Sequence, residues 1–195
     1  MRVIGGQAKG RRLVCPRGLE TRPAQDKLRE AVFNILAEVV EGSFVLDLFA
    51  GSGALGIEAL SRGARGCVFV ERDLKAILAI KTNLESTRLA PMGVVIRRDV
   101  LKCLPELQKR GVQFGLIFID PPYTLWERPR ERQALLDFIS AFSVEKSLLE
   151  PHAIVVLRYR SHKVELPEHL GEFHLFDRRV YGDTTLTFWS TNKGN

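Results

Sequence analysis

From residue 44 onward, short apolar runs alternate with amphipathic stretches, and this rhythm restricts the fold more than any other feature of the chain. The runs are Phe44–Leu48, Cys67–Glu71, Val94–Arg97, Gly115–Ile119 and Ala153–Leu157. They are rich in β-branched and aromatic residues, the pattern of strands buried on both faces. The stretches between them predict helices over roughly 52–62, 74–88, 100–110 and 131–142. Strands separated by helices build a parallel sheet through right-handed crossovers, so the expected class is α/β and doubly wound. The tail departs from the rhythm. Two strands, near Phe173–Tyr181 and Thr185–Ser190, meet at Gly182-Asp183, a hairpin signal. At 195 residues, 45% hydrophobic and 27% charged, the chain has enough apolar mass for a core without staples.

The first 42 residues read as an extension of a different kind. Two β-like pieces, Arg2–Ile4 and Arg11–Val14, flank the turn formers Gly5, Gly6 and Gly10, which suggests a hairpin. A helix then starts between Pro23 and Asp26, buries Leu28, Ala31, Val32, Ile35, Leu36 and Val39, and stops at Gly42. Residues 1–29 hold eight basic side chains and two acidic ones, while residues 30–195 hold 21 of each sign. The entire surplus of +6 therefore sits in the first seventh of the chain. A local basic patch is the footprint of a polyanion, because each neutralised phosphate releases counterions.

What the composition excludes narrows the classes further. No apolar run approaches the ~18 residues of a membrane helix, and the N-terminus lacks the apolar core of a secretory signal. Cys15, Cys67 and Cys103 are scattered and odd in number, which fits a reducing cytoplasm and argues against disulfides. The four histidines all lie after residue 150 and pair with nothing at ligand spacing, so no metal site is expected.

Two strand ends carry chemistry. The first strand runs into Asp47-Leu-Phe-Ala-Gly51-Ser-Gly53 and then a helix. The glycines allow a tight turn and close approach of backbone to a ligand. Eighteen residues after Gly53 the second strand ends at Glu71, placed to accept from both hydroxyls of a ribose. Asp99, past the third strand, is within reach of an adenine amine. Together these say nucleoside, without separating NAD from S-adenosylmethionine. Asp47 tilts the choice, since a carboxylate there repels a pyrophosphate and favours a cationic amino group.

The fourth strand ends in Asp120-Pro121-Pro122-Tyr123. Proline cannot extend a central strand, so the chain turns there and the two prolines stiffen the mouth. Asp120 and the Pro121 carbonyl can accept the hydrogens of a planar exocyclic amine, with Tyr123 stacked on the ring. Such acceptors steer the nitrogen lone pair toward an in-line methyl donor and stabilise the charge that develops. No covalent intermediate is needed.

At these residues the chain resembles the bacterial 16S ribosomal RNA guanine-N2 methyltransferases, a family of class I S-adenosylmethionine-dependent enzymes. The resemblance runs through Arg2-Val-Ile-Gly-Gly-Gln-Ala-Lys-Gly-Arg11, Thr21-Arg-Pro-Ala-Gln-Asp-Lys-Leu-Arg-Glu-Ala-Val-Phe-Asn-Ile-Leu36, Leu46–Gly56, Glu71-Arg-Asp73, Asp120–Tyr123 and Tyr181-Gly-Asp-Thr184. The Thr-Arg-Pro segment discriminates this family from other amino-methyltransferases, although Ala24-Gln25 stands where hydroxyl residues are expected. The resemblance implies a Rossmann-like, mostly parallel sheet of seven strands with the last antiparallel. It implies a methyltransferase domain over residues 43–195 behind a basic extension over residues 1–42. It places the cofactor at Asp47, Phe49, Gly51, Gly53, Glu71, Arg72, Asp99, Val100 and Asp120, and the target base at Asp120, Pro121, Pro122 and Tyr123. Its partner is 16S rRNA in the small ribosomal subunit or an assembly intermediate, met by a monomer. Arg11, Arg12, Arg22, Lys27 and Arg29 are then expected to grip phosphates, so that removing residues 1–20 weakens RNA binding and spares the cofactor. The residues leave three other readings open: an adenine-N6 or protein-amide methyltransferase, an NAD oxidoreductase, and a non-catalytic RNA-binding module.

Overall fold

A computed structural model describes residues 1–16, 23–160 and 164–191, with the side chains of residues 23–25 outside the description. The chain divides into two compact units, Met1–Val100 and Leu101–Asn195.

In the first unit, helices α1 (Pro23–Ile35) and α2 (Ala37–Val40) precede strand β1 (Phe44–Leu48), helix α3 (Ala54–Ser61), strand β2 (Gly66–Glu71), helix α4 (Leu74–Thr87) and strand β3 (Gly93–Arg97). The one helix expected before Gly42 is therefore two, interrupted at Leu36. β1 pairs in parallel with β2, and β2 with β3. Val45, Leu46, Leu48, Phe69 and Val70 are fully buried, as their apolar runs require. The expected hairpin is a single antiparallel bridge, Arg2 to Arg12. Gly10 donates to the Val3 carbonyl at 2.9 Å and Leu13 to that of Met1 at 3.0 Å, so the segment closes on itself without forming regular strands.

That segment is fastened to α3. The Ile4 and Gly5 N–H groups donate to Glu58 at 2.8 and 2.7 Å, and Gln7 donates to the Ser61 carbonyl at 2.8 Å. Gly6 makes this approach possible. Its φ is +73°, and a Cβ there would collide with the Ser61 carbonyl. Both conditions exclude any other residue without a backbone shift.

In the second unit, helix α5 (Leu104–Gln108) leads to strand β4 (Phe114–Ile119), helices α6 (Tyr123–Glu127) and α7 (Pro129–Ser143), and strands β5 (Leu149–Arg160), β6 (His169–Leu170), β7 (Phe173–Tyr181) and β8 (Thr184–Ser190). The helix expected over 100–110 is a 3-10 turn at Val100–Lys102 followed by α5. Pro105 is the cause: in the first turn its missing N–H costs nothing, whereas a helix running through it would lose a bond. β4 pairs in parallel with β5, and β5–β8, β8–β7 and β7–β6 are antiparallel. β7 and β8 meet at Gly182-Asp183, as the sequence signals. The described residues thus make eight strands, three and five in the two units, where seven were expected. The added one is the two-residue β6.

Gly6→Ala should lower the unfolding free energy by about 1–3 kcal/mol, the range for a residue forced into a disfavoured backbone region. Urea denaturation would measure it, and wild-type stability would show that the approach to Ser61 is not constrained.

Candidate functional site

In the first unit, the loop from β1 to α3 has an unusual backbone. Phe49, Gly51 and Gly53 all carry positive φ, at 60°, 56° and 76°. For a bulky residue such as Phe49 this is strained, and strain of this kind gathers at ligand-binding turns. Two carboxylates hold the loop in shape. Asp47, 1% exposed, accepts the Gly56 N–H at 2.9 Å, which ties β1 to the first turn of α3. Glu71, at the end of β2, accepts the Gly51 N–H at 2.9 Å on one oxygen and those of Arg72 and Asp73 at 2.7 and 2.9 Å on the other. A carboxylate has roughly four acceptor positions, and loop N–H groups take three of those on Glu71. Asp99 is 40% exposed and pairs with Arg72 at 3.4 Å, and Val100 is buried.

Asn83 of α4 joins this loop to the N-terminal segment, a role absent from the sequence reading. Its side chain accepts the Val14 N–H at 2.7 Å and donates to the Val14 and Ser52 carbonyls at 2.9 Å each. Glu58 is a second such residue. Fully buried in α3, it pairs with Arg62 at 2.8 Å and Arg29 at 3.6 Å besides the Ile4 and Gly5 N–H groups. A polar residue on the apolar face of a predicted helix was the available signal for both.

The basic set divides. Arg11, Arg12 and Lys27 are exposed, and Arg11 donates to the Ser86 carbonyl at 2.8 Å. Arg22 lies outside the described residues. The expectation for Arg29 is corrected. It is 5% exposed, donates to the Arg2 carbonyl at 2.6 Å and pairs with Asp26 at 3.1 Å and with Glu58, so its guanidinium is withdrawn from any phosphate. Removing residues 1–20 is corrected as a clean test for the same reason, since it strips the partners of Glu58, Ser61 and Asn83.

In the second unit, Asp120 follows β4, Pro121 is buried, and Pro122 caps α6, whose first residue is Tyr123. The parallel register of Ile119 with Leu157 carries Arg158 alongside Asp120, and the two form an ion pair at 2.6 Å. Burial pushes the Asp120 carboxyl above the ordinary range, and Arg158 opposes that rise. Arg160, two residues on and so on the same face of β5, sets its guanidinium 4.4 Å from the Tyr123 ring centroid, with Arg158 at 5.8 Å. Asp183, in the β7–β8 turn, pairs with Arg160 at 3.6 Å. In the sequence alone Asp183 is a turn residue, and neither arginine is marked. The signal was there in Arg158-Tyr-Arg160, two charges at period two closing a buried strand. Of the thiols, Cys67 and Cys103 are buried. The Cys67 thiol is pushed up by burial and then by Asp47, which keeps it protonated and unreactive.

Comparison with known proteins adds a family. The model of the family described as "Conserved hypothetical protein 95" matches residues 1–190. YlbH of Bacillus subtilis (strain 168), provisionally named an rRNA methyltransferase, is 41% identical over 189 residues, 97% of this chain and 98% of that protein. Ribosomal RNA small subunit methyltransferase D of Haemophilus influenzae is 31% identical over 164 residues, 84% and 80% of the two. A solved structure of yhhF from Escherichia coli, provisionally titled a methyltransferase, matches with a TM-score of 0.79 at 30% identity, covering 97% of each chain.

Asn83→Ala leaves the buried Ser52 carbonyl without its partner, at about 1–3 kcal/mol, while the exposed Val14 groups can turn to water. Its unfolding free energy should fall by about 1–3 kcal/mol in urea denaturation. A fall within error would show that water replaces the amide.

Proposed function

The chain belongs to the conserved hypothetical protein 95 family, and on that premise we propose that it methylates the exocyclic N2 amine of a guanine in small-subunit ribosomal RNA, with S-adenosylmethionine as donor. The observation that carries this reading is the Asp120–Arg158 pair beside Tyr123. With Oδ1 of the carboxylate held by Arg158, Oδ2 remains as an acceptor with two lone pairs. Guanine offers two adjacent donors, the N1–H and the N2 amine, and such an acceptor matches that edge. Adenine sets its N6 amine beside an acceptor nitrogen, which a carboxylate would repel.

The residues of the first unit fit the donor. Glu71 keeps acceptor capacity for ribose hydroxyls, Asp99 is open enough to take an adenine amine, and the loop at Phe49, Gly51 and Gly53 brings backbone to its ligand. Val100 supplies an apolar wall, and Arg72 orients Asp99. Asp47 shapes the loop through Gly56 and adds negative potential where a cationic amino group belongs. When bound, S-adenosylmethionine supplies an electrophilic methyl group on a sulfonium sulfur. Asp120 and the Pro121 carbonyl then accept the amine hydrogens and direct the nitrogen lone pair, while Tyr123 stacks on the base and Pro122 fixes its start of helix. The nitrogen that gains the methyl sheds one proton, for which anionic Asp120 is an acceptor. A paired or stacked guanine must first be unstacked, at a few kcal/mol. Arg11, Arg12 and Lys27 offset that by holding phosphates and setting register.

Labelled S-adenosylmethionine should be incubated with small subunits, naked ribosomal RNA or DNA, and the products digested to nucleosides. N2-methylguanosine is expected from an RNA substrate, and N6-methyladenosine would move the assignment to the adenine enzymes. Asp120→Ala should retain cofactor binding by calorimetry and lose turnover on the order of 10²-fold or more, the scale for one preorganised polar group. Arg12→Ala with Lys27→Ala should weaken RNA binding and reduce its salt slope by roughly 2 at ~0.9 per phosphate. An unchanged slope would remove these side chains from the interface.

A further inference from the structure

We propose that Arg158 is a positioning residue for Asp120, holding Oδ1 of its carboxylate so that Oδ2 is left to accept from the base amine. The proposal deepens the reading of Asp120 as amine acceptor and rests on it. Its basis is geometric. In a parallel pair, residues that follow matched positions emerge side by side, and Ile119 is matched with Leu157. Asp120 and Arg158 therefore leave the sheet together, 2.6 Å apart, with side chains only 21% and 23% exposed.

Three elements of the second unit bring charged or titratable groups to this cluster. Arg158 comes from β5 and touches it directly. Tyr123 comes from α6, and both Arg158 and Arg160 lie over its ring. Asp183 comes from the β7–β8 turn and is held by Arg160. Arg158 is thus the countercharge of Asp120, and Arg160 that of Asp183. The chemical consequence follows from sign. Burial favours the neutral acid, and a neutral acid turns one acceptor into a donor that opposes a donor amine. Arg158 works against burial. Lysine would supply the charge on a flexible stem, without the rigid guanidinium whose Nε meets Oδ1.

The test uses the full chain with labelled aspartate carboxyls, following the Asp120 signal by carbon NMR through a pH titration, with Asp120→Asn to assign it. In Arg158→Gln the Asp120 midpoint should rise by about 1 unit or more, the usual effect of an adjacent opposite charge. The acid limb of kcat should move with it, while the KM for S-adenosylmethionine stays put. Arg158→Lys should restore the midpoint and leave kcat several-fold low. Arg160→Gln should leave the midpoint where it is. An unmoved midpoint in Arg158→Gln, with Asp120→Ala inactive, overturns the role of Arg158 alone. Near wild-type turnover by Asp120→Ala overturns the reading beneath it as well. Should Arg158→Gln not fold, Arg158→Lys decides: wild-type kcat there refutes the orienting role.

Discussion

A carboxylate removed from water has to be met by donors, and each carboxylate that shapes this protein's sites is met differently. Asp47 accepts a helix-turn N–H, Glu71 three loop N–H groups, Glu58 two N–H groups and two guanidiniums, and Asp120 faces an arginine. The donors decide what each acid is able to do. Asp47 and Glu58 are consumed by the fold. Glu71 is partly consumed and retains capacity. Asp120 is balanced in charge without being surrounded by donors, the condition under which a carboxylate still accepts from a ligand.

In the first unit this logic joins parts that look separate in the sequence. The N-terminal segment gives its backbone N–H groups to α3 and α4, and both helices also hold the glycine loop. The basic residues of the segment are therefore mounted on the elements that shape the loop. That arrangement explains why Gly6 is needed at the crossing with Ser61 and why Arg29 lies inside. A positive charge facing the buried Glu58 stabilises the junction more than it could stabilise a distant phosphate through water, where screening acts within about 10 Å.

In the second unit the tail completes the strand-end cluster. β8 runs antiparallel to β5, and the turn that precedes it brings Asp183 to Arg160. Tyr181-Gly-Asp-Thr184 is thus more than a turn: its acid anchors the arginine that covers Tyr123. The Tyr123 ring thus carries a cation–π contact from an arginine that the Asp183 ion pair also holds.

Local pattern carried the sequence analysis a long way. The strands at Phe44–Leu48 and Cys67–Glu71, the glycine loop, the proline mouth and the Gly182-Asp183 turn were legible because each is written in consecutive residues whose backbone preferences agree. Helix limits at Leu36 and Pro105 were less so, since neighbouring packing and a missing N–H shift a boundary without altering periodicity. What tertiary structure alone decided was partnership. Whether Arg29 meets a phosphate or Glu58, whether Asn83 is a surface polar or a bridge, and why an acid stands at position 120 depend on residues dozens of positions away. Charge type is encoded one residue at a time, but the field a charge feels is set by which strands lie side by side, and only the folded register of β4 with β5 brings Arg158 to Asp120.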